Sequence, residues 1–438
     1  MISKIVNIFK VKDLRKKLFF TFSLLIVFRL GGQVAIPGVN ISDAFRSTVD
    51  DSILGLYDTF VGGFLSQASI FSLGIMPYIS ASIIIQLMTA IVPYFQRLKK
   101  EGAEGNKKII QLTRYGTVLI AAIQAVGVAS LFSSQGLAGE GGLSGSVFFI
   151  VTIITLVTGT IFVMWLGEQI TDYGIGNGIS LIITVGILAG APSAFGDLFQ
   201  LMFAASSEAV RGVFLIILLI AITMFVVSIT SALRKIPVQF AKRVVGRKVY
   251  GGQASHIPLK ILTAGVMPII FAQALMFLPG LIGSLTGWRW LEQGFSPDAW
   301  AYTIVFGLLI VVFTYFYTAI AFNPIDVADN MKKQGGFIPG VRPGKATADF
   351  LDNILTRVTL PASIALAFIA IIPFLFQKYA GLNNDMIALS YYFGGTSIII
   401  AVGVALDTMQ QIEGHLVSRH YDGFLKTGKI KGRSRSRY

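Results

Sequence analysis

Residues 60 to 92 read FVGGFLSQASIFSLGIMPYISASIIIQLMTAIV, a run without Asp, Glu, Lys or Arg. As a single helix these 33 residues would be roughly 50 Å long at 1.5 Å per residue. The hydrocarbon core of a bilayer is about 30 Å thick. The run must therefore break, and Gly74 followed by Pro77 marks the place. The part from Gly74 to Val92 is long enough to span. The part from Gly62 to Leu73 is too short, and is expected to be a re-entrant stub that enters the membrane and stops inside protein. Irregular backbone at that depth must be covered by protein or water.

The rest of the chain repeats this apolar character. Of 438 residues, 54% are hydrophobic and 13% charged, against about 25% charged in soluble domains. The expected fold is an all-α polytopic membrane protein with ten transmembrane helices. The spans fall at about 18–37, 74–92, 115–133, 147–166, 176–195, 212–233, 261–284, 301–322, 358–377 and 388–406. There is no cysteine, so no disulfide framework or thiol chemistry. His256, His415 and His420 lack metal-ligand spacing. The basic N-terminus is followed by no cleavage site and does not read as a signal peptide.

Most of the 36 Lys and Arg lie in the N-terminus, loops 93–114, 234–260 and 323–357, and the tail. The intervening loops carry Asp43, Asp50, Asp51, Asp58, Glu140, Asp197, Glu208, Glu292 and Asp298. The positive-inside rule then places both termini in the cytoplasm, as an even number of spans also requires.

Two segments repeat. LGIMPYISAS (73–82) and AGVMPIIFAQ (264–273) share Gly74/Gly265, Met76/Met267, Pro77/Pro268 and Ile79/Ile270. Each opens the second span of a five-span half. Halves with an odd number of spans repeat upside down, and the working site lies between them. The division reads as an N-terminal half 1–210, a C-terminal half 211–407 and a basic cytoplasmic tail 408–438.

Enzymatic motifs are absent. TDYGIGNGIS contains a G-x-G-x-G run but follows no strand, which removes a dinucleotide site. PGVRPGKAT is one residue short of a phosphate loop and has Ala346 where Ser or Thr is needed. No nucleophile, carboxylate pair or cofactor signature stands out, so neither catalysis nor a cofactor is expected. Arg29 and Asp407 are each the lone charge in their span, and a charge at membrane depth marks function or pairing with a helix end or partner subunit. A secondary transporter built on inverted repeats would need ionisable coupling groups near the midplane. The spans instead carry Ile, Gly, Ser, Thr and a few Gln, namely Gln86, Gln124 and Gln273. Loop 234–260 has seven bases and no acid, with Phe240 and Tyr250 among them. Such a patch suits an anionic surface: nucleic acid, anionic lipid or an acidic protein.

At the level of whole blocks, GGFLSQASIFSLGIMPYISASIIIQL, KKEGAEGNKKIIQLTRYGT, VTGTIFVMWLGEQITDYGIGNGIS, FAKRVVGRKVYGGQASHIPLK, FNPIDVADNMKKQGGFIPGVRPGKAT and YYFGGTSIII closely resemble the bacterial SecY family, central subunits of the protein-conducting channel. The resemblance runs from Arg15 to the tail. It implies a subunit that passes unfolded preproteins across the bacterial plasma membrane and releases transmembrane segments sideways. It makes 62–73 a plug helix, including Gly62, Gly63, Phe64, Leu65, Ser66, Ser69, Ile70 and Leu73, whose Gly and Ser content suits a loosely held element. It maps the apolar pore ring onto Ile75, Ile79, Ile183, Ile270 and Ile400. The lateral gate falls between spans 2–3 and 7–8, around Ser80, Ser82, Gln86, Gln124, Met267 and Gln273. Docking of the SecA ATPase or the ribosome, with ribosomal RNA contact through the basic loops, maps onto Lys242, Arg243, Arg247, Lys248 and Arg342. SecE and SecG subunits, signal peptides and membrane lipids complete the implied partners. With no nucleotide motif in the chain, the ribosome or an ATPase must supply the drive.

Overall fold

Proline and glycine punctuate the helices much as the sequence dictates. The computed structural model describes residues 11–39, 45, 53–136, 145–203, 206–240, 243–245, 248–250, 254–286, 288, 294–295, 299–379 and 395–427. The helices are α1 (Lys12–Gly31), α2 (Ile53–Val61), α3 (Met76–Ile91), α4 (Pro93–Lys100), α5 (Ala103–Ser134), α6 (Gly145–Tyr173), α7 (Gly178–Ala189), α8 (Ala191–Met202) and α9 (Ser206–Ser231). After four short strands follow α10 (Met267–Thr286), α11 (Trp300–Ala321), α12 (Pro324–Lys333), α13 (Lys345–Tyr379) and α14 (Gly395–Thr427). Pro77, Pro93 and Pro324 sit in the first turns of α3, α4 and α12, where a missing N–H costs nothing. Asn177 caps α7 by accepting from the amides of Ile179 and Ser180, and Asn323 caps α12 through Ile325.

Seven helical segments among the described residues are long and apolar enough to cross a membrane. The remaining three expected spans correspond to α1, α3 and α10. α1 begins with a charged turn, α3 stops at Pro93, where the chain bends by 94° into α4, and α10 contains Pro279. Several helices outrun their apolar stretch: α5 starts at Ala103 and α6 continues to Tyr173. The last expected span loses residues 388–394 to the region outside the described residues. α14 passes through position 408 unbroken, so the tail begins as the same helix.

The basic loops are not featureless. β1 (Leu233–Phe240) pairs antiparallel with β4 (Ala254–Lys260), from Leu233 opposite Lys260 to Gln239 opposite Ala254. The end of β1 also pairs with β5 (Gly336–Phe337), joining loop 234–260 to loop 323–357 in one sheet. β2 (Arg243–Val245) and β3 (Lys248–Tyr250) form a small separate hairpin. Ile236, Val238, Leu259, Met331, Ile338, Leu351 and Leu355 close an apolar cluster under the sheet, distinct from the large core between the spans.

The repeat is visible in the backbone. Gly74 and Gly265 have φ of +52° and +59°, the left-handed region that glycine enters without penalty. In each case a helix starts two residues later, at Met76 and at Met267.

Candidate pore and plug

The segment 62–73 is not the short helix that the resemblance implied. It is a chain of turns, and the helix lies just before it, in α2. Gly62 and Gly63, at φ +94° and +80°, end α2, and their amides both donate to the Asp58 carbonyl at 2.8 Å. The Asp58 carboxylate accepts from the Leu65 amide at 2.7 Å and the Ser66 amide at 3.3 Å. An Asp positioned to bind amides beyond the helix end competes with helical pairing, which is why the turn sequence does not continue α2.

Nor is the segment loosely held. Phe64, Leu65, Ser69 and Leu73 are fully buried, while Ser66 and Ile70 are partly so. Ser66 donates to the Gly63 carbonyl and Ser72 to the Phe64 carbonyl at 3.0 Å. Ser69 forms a β-bridge with Ala35, and the Tyr57 hydroxyl donates to the Leu73 carbonyl at 2.8 Å. Its serines thus satisfy backbone groups at membrane depth, the covering that such backbone needs.

The seat is built from glycines on neighbouring helices. A Cβ on Gly31, the last residue of α1, or on Gly32, which caps it, would overlap the rings of Phe71 or Phe64, and one on Gly159 of α6 would overlap the Ile70 carbonyl. A Cβ on Gly186 of α7 would stand 2.9 Å from the Phe60 carbonyl oxygen. Arg29, the lone charge of its span, points here. Its Nη1 donates to the Gly62 carbonyl at 3.2 Å and its guanidinium lies 5.0 Å from the Phe64 ring centroid.

Four of the five expected ring residues come together beside this segment. Ile75, Ile79, Ile183 and Ile270 line one cavity of about 10 Å³ together with Phe28, Phe60, Val61, Gly74, Met76 and Ile182. That is scarcely room for one water, and the walls offer no side-chain hydrogen bond to hold it. Ile400 does not line this cavity: it is fully buried in the same core. Phe28, Phe60, Val61, Met76 and Ile182 share the lining, and none of these five was among the expected ring residues. The signal for Phe60 and Val61 was the apolar run itself, which starts at Phe60. For Ile182 it was the neighbouring Ile183, since one narrow neck can take two successive helix positions.

The expected gate residues gather on α3, α5 and α10, and α10 packs against both other helices. Ser80, Gln124 and Gln273 are buried. Ser82 and Gln86 are partly buried and bond to each other along α3 at 2.9 Å, rather than across the seam. The Gln124 side-chain oxygen is buried with no hydrogen-bond partner. Tyr57 of α2 stacks on Phe277 of α10 at 4.1 Å, so the helix that leads into segment 62–73 packs directly on α10.

On the far side of the neck lies a larger cavity of about 430 Å³. Its walls include Asn177, Ser180, Lys260, Gly265, Met267, Asp407, Thr408, Gln410 and Gln411. The Gly176 amide donates to Gln411 Oε1 at 3.0 Å and Lys260 Nζ donates to Gln410 Oε1 at 2.6 Å, so α14 braces elements of both halves. Of the expected docking residues, Lys242 and Arg247 lie outside the described residues. Arg243 and Lys248 are on the paired strands β2 and β3, and Arg342 is exposed.

A family model described as SecY matches residues 69–409. A protein translocase subunit SecY of Streptomyces galbus is 44% identical over 97% of this chain and 100% of its own length. The subunit of that name from Escherichia coli K12 is 42% identical over 97% of this chain and 96% of its own, and that from Thermotoga maritima 40% identical over 98% of each. Solved structures share the fold. One, described as the structure of a protein conducting channel, has a TM-score of 0.64 at 20% identity over 94% of both chains. Another, from work on a SecY plug domain that stabilises the closed channel, has a TM-score of 0.66 at 21% identity over the same shares. The canine Sec61 of a ribosome–channel complex scores 0.59 at 18% identity. With the neck, the seated segment and the seam already in place, these matches settle the lineage: the chain belongs to the SecY family.

Proposed function

We propose that this chain is the pore-forming subunit of a protein-conducting channel. It passes unfolded preproteins across the bacterial plasma membrane and releases transmembrane segments sideways into the bilayer. The observation that carries the reading is the neck: isoleucines from three helices converge on a space of about 10 Å³, with a buried, folded segment seated against it. A narrow apolar constriction dewets and so bars ions without offering them a binding site. Its side chains can rotate in picoseconds to nanoseconds once freed, which lets one neck fit many passing side chains. The plugging segment leaves through loss of its hydrogen bonds to Arg29 and Asp58.

The lateral exit is the seam between α3 and α10. Lipid tails drive helix association only weakly, so an apolar helix of a client can replace one of these contacts at small net cost. The buried side-chain oxygen of Gln124, which has no hydrogen-bond partner, favours a seam that finds other partners when it opens. The paired basic loops form the docking platform for SecA or the ribosome, whose RNA would meet Arg243, Lys248 and Arg342. SecE and SecG are the expected companions, holding the halves 1–210 and 211–407 together. Both termini face the cytoplasm. A transporter is disfavoured because the described part of the neck holds no ionisable group. A cysteine pair bridging α3 and α10 tests the seam: oxidation should arrest insertion of transmembrane clients, whereas undiminished insertion rejects this exit.

A further inference from the structure

Asp407 is the charged group that neck and plug leave unused. It lies on α14 seven residues beyond Ile400, roughly 10 Å along the helix, on the side where the basic loops project. Its carboxylate is 3.9 Å from Lys260 Nζ, while Lys260 places its hydrogen bond on Gln410 at 2.6 Å. At 3.9 Å the pair is beyond hydrogen-bond reach, so Lys260 offers Asp407 charge but no bond. Asp407 is 45% and Lys260 42% exposed, both into the cavity of about 430 Å³. Among the described lining residues they are its one carboxylate and its one cation. A Cβ on Gly265 would lie 3.6 Å from Asp407 Oδ2, and Met267, the first residue of α10, lines the same cavity. An accessible carboxylate thus stands at the foot of the gate helix.

The geometry points to Asp407 as the group that reads the charge flanking an entering apolar segment. Resting on the channel reading above, it adds a residue that discriminates among clients. Export segments carry a positively charged stretch before 7–15 apolar residues. With the apolar part along α10, the ammonium or guanidinium of that stretch reaches Asp407 Oδ1 or Oδ2. Lys260 is the built-in competitor: it partly neutralises the carboxylate at rest and must be outmatched by a client cation that makes the missing hydrogen bond. A half-exposed pair of this kind changes preference by about three- to tenfold.

The test compares export of clients that differ only in a basic, neutral or acidic flank, in proteoliposomes holding the full channel complex and its motor. The readout is the ratio of basic-flank to neutral-flank export, in which changes of expression or folding cancel. Asp407→Asn should lower the ratio about three- to tenfold, Asp407→Lys should favour the acidic flank, and Lys260→Gln should raise the ratio. Ratios equal to the parent's in all three variants overturn the inference, because a purely structural role would depress every client alike. Failure of the parent protein to export any client would instead overturn the channel reading beneath it.

Discussion

Gly186→Ala probes the plug seat with the smallest change available. The added carbon would lie 2.9 Å from the Phe60 carbonyl oxygen and 3.4 Å from the Val61 carbonyl carbon and oxygen. Real Cβ atoms do not approach backbone below 3.0 Å, so α2 must shift outward. Overpacking of this kind costs about 1–3 kcal/mol. Alanine also favours the helix over glycine by roughly 0.8–1.0 kcal/mol, but α7 is helical with the plug in or out, so that gain cancels from the plug equilibrium. What remains raises the unplugged fraction about five- to 150-fold, at about 1.4 kcal/mol per tenfold. The assay is ion leak from liposomes holding the resting channel complex, with Gly196→Ala as control, since a carbon there meets nothing within 4 Å. Leak rising in the Gly186 variant and not in the control is expected. Equal leak in the two, at equal reconstitution, refutes the seat.

Three further outcomes follow from the same geometry. Replacing Ile79 and Ile270 together with Gly removes two walls of the neck, and single-channel recordings in planar bilayers should show frequent resting openings; silence equal to the parent's would reject the ring. Arg29→Gln removes the cation over Phe64 and weakens the bond to Gly62, a loss of about 1–2 kcal/mol that should increase resting leak roughly five- to thirtyfold; unaltered leak would mean Arg29 does not hold the segment. Charge reversal at Arg243 and Lys248 should weaken SecA and ribosome binding and flatten its salt dependence in sedimentation or fluorescence titrations. Unchanged affinity would reduce loop 234–260 to a topology signal.

Apolar length and charge were legible in the chain because membrane contact imposes them residue by residue. The break at Gly74 and its twin at Gly265 could be read for that reason, whereas the ring isoleucines came from the family resemblance. Helix ends could not. α5 begins twelve residues before its apolar stretch, at Ala103, because a helix extends into water as readily as it fills a membrane. The strands of the basic loops were missed because β1 alternates its buried positions only over Ile236 and Val238, and its partner β5 is distant in sequence. The plugging segment was misjudged for a related reason. Its glycines and serines are equally suited to a flexible loop and to a tightly hydrogen-bonded turn. What decides between them is Asp58, Tyr57 and Arg29 reaching in from elsewhere. Ile400, mapped to the ring by the same resemblance as the other four, is buried in the same core but does not line the neck cavity.

Transport of protein is the central claim, and one measurement addresses it. The chain, reconstituted in liposomes with SecE and SecG, is given SecA, ATP and a labelled unfolded preprotein, and protease is then added outside. Full-length label protected only when ATP is present, and lost when detergent opens the vesicles, is the predicted result. Complete digestion with ATP present, in vesicles whose SecA binds normally, would contradict it.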